Sequence, residues 1–194
     1  MILKDRPQSF IDIETTGLDP GIHEILEFSI LRRDPSSGIE SKNTIYFEPQ
    51  HIHTADPKAL EVNGYNPEND VASIRKHPLV ALDHIVSMLK DTIIIGHNVS
   101  FDLNFIKAQV IKYGLNDKDL PYHKVDTVTL AFEHLAPLGL SSLSLKNVCE
   151  FLGISNDNAH TSSADVHRTV QVFDLLNRPS LLNKLKWRYK CIYY

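Results

Sequence analysis

Asp12 and Glu14 stand two residues apart in the stretch Ser9-Phe10-Ile11-Asp12-Ile13-Glu14-Thr15-Thr16-Gly17. With Phe10, Ile11 and Ile13 around them, the stretch reads as a buried strand, on which residues two apart share a face. Two carboxylates side by side in apolar surroundings repel each other and are poorly solvated. A positive partner must offset them, and a divalent metal suits such oxygen ligands best. The competing reading is an edge strand with both acids in water.

Two further clusters carry groups of the same kind. Gly96-His97-Asn98-Val99-Ser100-Phe101-Asp102 joins an apolar run to a helix and puts Asp102 in the first helical turn. An acid there is also what the helix dipole favours, so capping electrostatics alone would account for it. The third cluster is His160-Thr161-Ser162-Ser163-Ala164-Asp165. Five helical residues turn through about 500°, so His160 and Asp165 share no face of one helix. His160 must therefore lie on the preceding loop if both are to meet one site; alone it reads as a surface or capping histidine. Four carboxylates and an imidazole make a hard, oxygen-rich set suited to Mg²⁺ or Mn²⁺, with a base of ordinary pKa beside it. Two such ions can stabilise the attacking and leaving oxygens of a phosphoryl displacement, and this chemistry is phosphodiester hydrolysis.

The elements that must position these groups follow from pattern and punctuation. Strands are expected at Phe10–Ile13, Glu24–Arg32 and Asn43–Phe47, the last two joined by the turn Asp34-Pro35-Ser36-Ser37-Gly38. From about His51 to Asp70 the chain reads as loop with one short helix. Leu79, Leu82, Ile85, Val86 and Leu89 recur at helical spacing over Pro78–Leu89, and Thr92–Gly96 reads as a strand buried on both faces. Ser100 reads as an N-cap for a helix running to Tyr113 and stopped by Gly114. A short strand at Val125, a helix from Leu143 to Leu152 stopped by Gly153, and a last helix from Ala164 to Leu176 complete a mixed α/β domain.

The three clusters, taken in order, resemble the exonuclease motifs of the DnaQ-like family. The matching residues are Asp12-Ile-Glu-Thr-Thr-Gly-Leu18, then Gly96-His-Asn-Val-Ser-Phe-Asp102 with Phe105, then His160 five residues before Asp165. The histidine marks the DEDDh subgroup, which includes the proofreading subunit of bacterial DNA polymerase III. The resemblance spans about residues 8 to 176 and extends to Asp126-Thr127. It implies a ribonuclease-H-like fold, a central mixed β-sheet flanked by α-helices, and 3′→5′ release of nucleoside 5′-monophosphates from single-stranded ends. It implies two divalent cations, Mg²⁺ or Mn²⁺: Asp12, Glu14 and Asp165 on one, and Asp12 with Asp102 on the other. His160 is then the general base. Thr15 and Thr16, through backbone and hydroxyls, receive the terminal nucleotide with Leu18, and Asn98 and Phe101 border the same pocket. Ser162 departs from the alanine common in the family, a change that removes no ligand.

The Thr15-Thr16 pair resembles DNA-directed members more than oligoribonuclease-like ones, so single-stranded DNA is the expected substrate and trimming of RNA the alternative. A DNA polymerase is the alternative partner, with this chain as a polymerase-associated interaction module or proofreading subunit; the little chain after residue 178 favours a free-standing exonuclease, or one docking through its tail, and the intact acidic set argues against a nucleotide-sensing pseudoenzyme. The expected layout is a nuclease domain over residues 1–178 and a basic, aromatic tail over 179–194. In that tail Lys184, Lys186, Arg188 and Lys190 interleave with Trp187, Tyr189, Tyr193 and Tyr194. The tail suits stacking on nucleic acid, but packing on the domain is favoured.

Composition limits the rest. The 194 residues suit one domain, and a hydrophobic fraction of 42% with a charged fraction of 23% is ordinary for a globular protein. A net charge of −4 argues against a generic nucleic-acid coating protein. Cys149 and Cys191 form no disulfide framework, no apolar run spans a bilayer, and no secretory signal opens the chain, all of which fits a cytoplasmic protein. His23, His51 and His53 read as solvated loop histidines, and Asp126 as a structural hydrogen-bonding residue.

Overall fold

The alternation read from Phe10 to Glu14 organises the whole molecule. The structure, a computed structural model, describes residues 2–69, 71–156, 161–183 and Trp187. Strand β1 (Gln8–Thr15) lies at the centre of a five-stranded sheet with β2 (Ile25–Arg33), β3 (Glu40–Tyr46), β4 (Ile93–Gly96) and β5 (Lys124–Asp126), in the order β3-β2-β1-β4-β5. The first three strands form an antiparallel meander, while β4 and β5 run parallel to β1. Parallel neighbours need crossover connections, and helices supply them. Helices α1 (Pro57–Val62) and α2 (Pro78–Leu89) precede β4 and α3 (Val99–Lys112) links β4 to β5, while α4 (Thr127–Leu135), α5 (Leu145–Leu152) and α6 (Ser162–Asn177) follow β5.

The two faces of β1 enter different cores. Ile11 and Ile13 pack with Phe28, Ile30 and Ile45 of the sheet and with Leu82, Ile85, Phe105 and Ile106 from α2 and α3. Phe10 faces the other way, onto Leu31, Ile95, and Val166, Val170 and Phe173 of α6. Asp12 and Glu14 share the Phe10 face, so the acids occupy the end of the surface that α6 covers. A third cluster joins Ala131 and Leu135 of α4, Val148 and Cys149 of α5, Val172 and Leu176 of α6, and Trp187. Trp187 is buried there, as packing of the tail requires. The other basic and aromatic residues of 184–194 lie outside the described residues.

Most expected elements form within a few residues of their expected bounds, and α2 matches throughout. Three readings are corrected. The helix at 99–112 is capped by Asn98, not Ser100; Asn98 adopts the left-handed conformation (φ 63°, ψ 43°), which asparagine tolerates better than most residues. Helix α4 is absent from the sequence reading altogether. Asp126 starts it by accepting the Val128 N–H, and also accepts the Asn98 N–H at 3.0 Å, which ties the β4–α3 turn to β5. Third, His51 is not simply solvated, for its ring contacts Glu24.

Candidate metal centre

Strand β1 outruns its parallel neighbour. Phe10 and Ile95 form the last β1–β4 pair, so the backbone beyond that point lacks a strand partner on that side. The Asp102 carboxylate, from the first turn of α3, fills part of the gap by accepting the Ile13 N–H at 3.1 Å. The same divergence opens the end of the sheet where Asp12 and Glu14 project. Asp165, in the first turn of α6, comes to them from above the sheet. Oxygen atoms of Asp12, Glu14 and Asp165 all lie within 4.8 Å of one another.

The electrostatics of this cluster are strained in the way a cation would relieve. Burial, then Asp102, Glu14 and Glu27, push the Asp12 carboxyl well above the usual carboxylate range. Burial and Glu27 raise Glu14 to about 7. Burial raises Asp102 to about 8, against the lowering effect of its backbone N–H bonds. A set of oxygens whose charged form is disfavoured by burial and then by neighbouring acids, and that converges from a strand and a helix terminus, fits hard divalent ions. Thus the acids Asp12, Glu14 and Asp165 converge. Asp102 approaches from the opposite side of β1, while His160 lies outside the described residues.

The structure adds residues the sequence reading passed over. Glu27 stands directly across β1–β2 from Glu14, and Ser29 from Asp12. The Ser162 hydroxyl donates to Glu27 Oε1 at 2.6 Å and lies 2.6 Å from Ser29 Oγ, which itself lies 2.8 Å from Thr44 Oγ1. Each hydroxyl has one proton, so the row runs Thr44 to Ser29 to Ser162 to the Glu27 carboxylate. Ser162 thus pins the start of α6 to β2. A polar residue inside the apolar run Ile25-Leu26-Glu27-Phe28 was the available signal for Glu27, the same signal that marked Asp12. Arg168, one turn after Asp165, is buried and ion-paired with it.

The loop after β1 is held on all sides. Thr16 is buried, its N–H donating to the Glu24 carbonyl at 2.9 Å and its Oγ1 accepting the Glu24 N–H at 2.8 Å. The Thr15 hydroxyl donates to the Gly17 carbonyl at 2.6 Å, and Asn63 Nδ2 donates to the Thr15 carbonyl at 2.7 Å. The two hydroxyls expected to meet a nucleotide are therefore turned inward. What this segment presents outward is Leu18, 78% exposed. Gly17 is required by packing, because a Cβ there would lie 2.4 Å from the His23 ring. Asn98 is exposed, and Phe101 is half-buried against Phe105 with ring centroids 5.0 Å apart. Beside Glu14 and Glu27 a small cavity of about 60 Å³ is bordered by Tyr46, Asn63, Tyr65 and Arg75. Arg75 orders that wall, stacking on Tyr65 at 4.9 Å and donating to the Asn66 and Pro67 carbonyls.

Comparison with known proteins agrees with this geometry. The family described as "Exonuclease" (RNase_T) matches residues 9–173. Ribonuclease T of Shewanella frigidimarina is 29% identical over 181 residues, covering 86% of this chain and 80% of that protein. The PolC-type DNA polymerase III of Thermotoga maritima is 32% identical over 165 residues, covering 84% of this chain. The match takes in 11% of that polymerase. Among solved structures, the zinc-bound form of an E. coli ExoI–ssDNA complex superposes with a TM-score of 0.78 at 22% identity. It covers 95% of this chain and 43% of that one, so this chain spans under half of it. Folds agree at that level of identity, and the profile match extends over most of the sequence. The chain belongs to the exonuclease family, the DnaQ-like 3′→5′ exonucleases of ribonuclease-H-like fold, whose members use divalent metal ions.

Proposed function

We propose that the chain removes nucleotides from the 3′ end of single-stranded DNA, releasing nucleoside 5′-monophosphates. The observation that carries the reading is the convergence of the Asp12, Glu14 and Asp165 oxygens within 4.8 Å, at an end of the sheet with no cation besides Arg168 among the described contacts. Asp12, Glu14 and Asp165 would hold one divalent cation, and Asp12 with Asp102 would hold a second; Mg²⁺ and Mn²⁺ both suit the oxygen set. When bound, the ions supply charge stabilisation for the attacking water and the leaving 3′ oxygen. His160 accepts the proton of the attacking water. Leu18 packs against the terminal nucleoside, and the inward-turned Thr15 and Thr16 hold its loop rigid, so that the backbone meets the ligand in one conformation. Asn98 and Phe101 form the facing wall.

The DNA preference is supported by the PolC-type relative and by the structural likeness to a protein solved with single-stranded DNA. A second reading, RNA trimming, is favoured by the similarity to Ribonuclease T along most of that protein's length. Labelled at the 5′ end, DNA and RNA strands of one sequence, digested with Mg²⁺, decide between them. A ladder shortening from the 3′ end on DNA supports the first reading, and faster shortening of RNA supports the second. No cleavage of either strand, with metal demonstrably bound, overturns both and turns attention to a polymerase partner.

A further inference from the structure

Arg168 is a guanidinium in an unusual place. It is 7% exposed, four residues before Val172, which packs with α4 and α5, and three residues after Asp165, a spacing that sets the two side chains next to each other. Its Nη2 makes the ion pair with Asp165 Oδ1. Its Nη1 donates to the Asn156 carbonyl at 3.4 Å, and Asn156 is the residue from which the chain enters the segment 157–160 that ends in His160. A carboxylate left to itself can rotate between rotamers; one whose oxygen is paired with a guanidinium that is itself held at a second nitrogen is restrained. A lysine carries its charge on one nitrogen at the end of a flexible stem and lacks that second anchor.

Resting on the reading of Asp165 as a metal ligand, we propose that Arg168 is a positioning residue: it holds the Asp165 carboxylate in its ligating orientation. It is neither a ligand nor a group that touches substrate. The role is distinguishable from simple charge balance because the two predict opposite signs. A guanidinium that merely neutralised the acids would compete with a dication, and its removal would tighten metal binding. A guanidinium that orients the ligand favours the metal in spite of its own charge, and its removal weakens binding.

The test is direct Mn²⁺ binding to the full chain in the absence of substrate, followed by electron paramagnetic resonance, for Arg168→Gln, Arg168→Lys and Asp165→Asn beside the unaltered protein. Arg168→Gln is expected to weaken Mn²⁺ binding by about 10- to 100-fold, the range seen when a group that orients a metal ligand is lost, and Arg168→Lys by less. Unchanged or tighter binding in Arg168→Gln overturns the proposal. If Arg168→Gln fails to fold, judged by circular dichroism, Arg168→Lys carries the test, and undiminished affinity there overturns the proposal. Undiminished affinity in Asp165→Asn sinks the metal-ligand reading instead, which keeps the two failures apart.

Discussion

Two regions bury carboxylates, and they treat them in opposite ways. Glu24 sits at the start of β2 with its side chain 4% exposed. Its Oε2 accepts the Gln50 and His51 N–H groups, each at 2.8 Å; its Oε1 meets His51 Nδ1 at 2.9 Å and Lys112 Nζ at 3.6 Å. Burial alone would raise this carboxyl, but the His51 hydrogen bonds and Lys112 outweigh it and hold it below its ordinary value. On the neighbouring strand, Asp12 is raised by burial and by Asp102, Glu14 and Glu27, and Glu14 by burial and Glu27. Glu24 is an anion whose partners are built into the fold, and it fixes the loop after β3. The β1 acids have no comparable set of built-in donors among the described contacts, which is the deficit a bound cation would make good. Burial does not separate structural from ligand-binding carboxylates; the completeness of the local partners does.

The largest effect that would break this contrast is on turnover. Asp12→Asn or Asp165→Asn is expected to lower exonuclease kcat by at least about 10³-fold, the loss of several kcal/mol of charge stabilisation. Glu24→Gln should leave kcat within about threefold, and comparable losses at both places would erase the distinction. The order reverses for stability. Glu24→Ala strands His51 and two backbone N–H groups and is expected to cost about 3 kcal/mol by urea denaturation of the metal-free protein. Asp12→Asn removes a repulsion and should stabilise that same form.

The pH responses carry opposite signs. In the metal-free fold Glu14 and Asp102 retain protons, up to about 7 and about 8, that the unfolded chain has already released. Stability from the cluster therefore falls as pH rises through about 5 to 8, and excess Mg²⁺ should abolish that slope. Glu24, with its depressed value, contributes above the unfolded carboxylate range near about 4.3 and loses its contribution as acid is added. Thermal melts at about pH 5.5 and about pH 8, with chelator and with Mg²⁺, measure the first slope. A metal-independent slope would count against the site. The smallest effect is Ser162→Ala, which interrupts the hydroxyl row to Glu27 and should cost about 1 kcal/mol with modest loss of activity.

Much of this was legible before the coordinates. The alternation around Asp12 gave both faces of β1, and the apolar spacing from Leu79 to Leu89 gave α2 to the residue. What stayed hidden depended on pairing between distant segments. Glu27 matters because register sets it opposite Glu14, and Glu24 because the chain near His51 folds back onto it. Helix α4 escaped because it is nine residues long and follows a three-residue strand directly, leaving no turn to announce it. Ser100 and Asn98 compete for one helix start, and the left-handed turn that decides for Asn98 is a property of the β4 exit rather than of local composition. The inward turn of the Thr15 and Thr16 hydroxyls is likewise set by where Glu24 and Gly17 lie.

The acids that converge come from β1 and from the first turn of α6, elements far apart in sequence that flank all the other strands. Chains emerge from the ribosome N-terminus first and domains generally fold as units. A nascent chain that has completed its sheet through β5 still lacks Asp165, Arg168 and the surface that covers Phe10. A sheet formed through β5 alone therefore carries only part of the acidic cluster, which closes when α6 docks on it. A chain cut short before α6 would carry Asp12 and Glu14 without the third acid of the cluster.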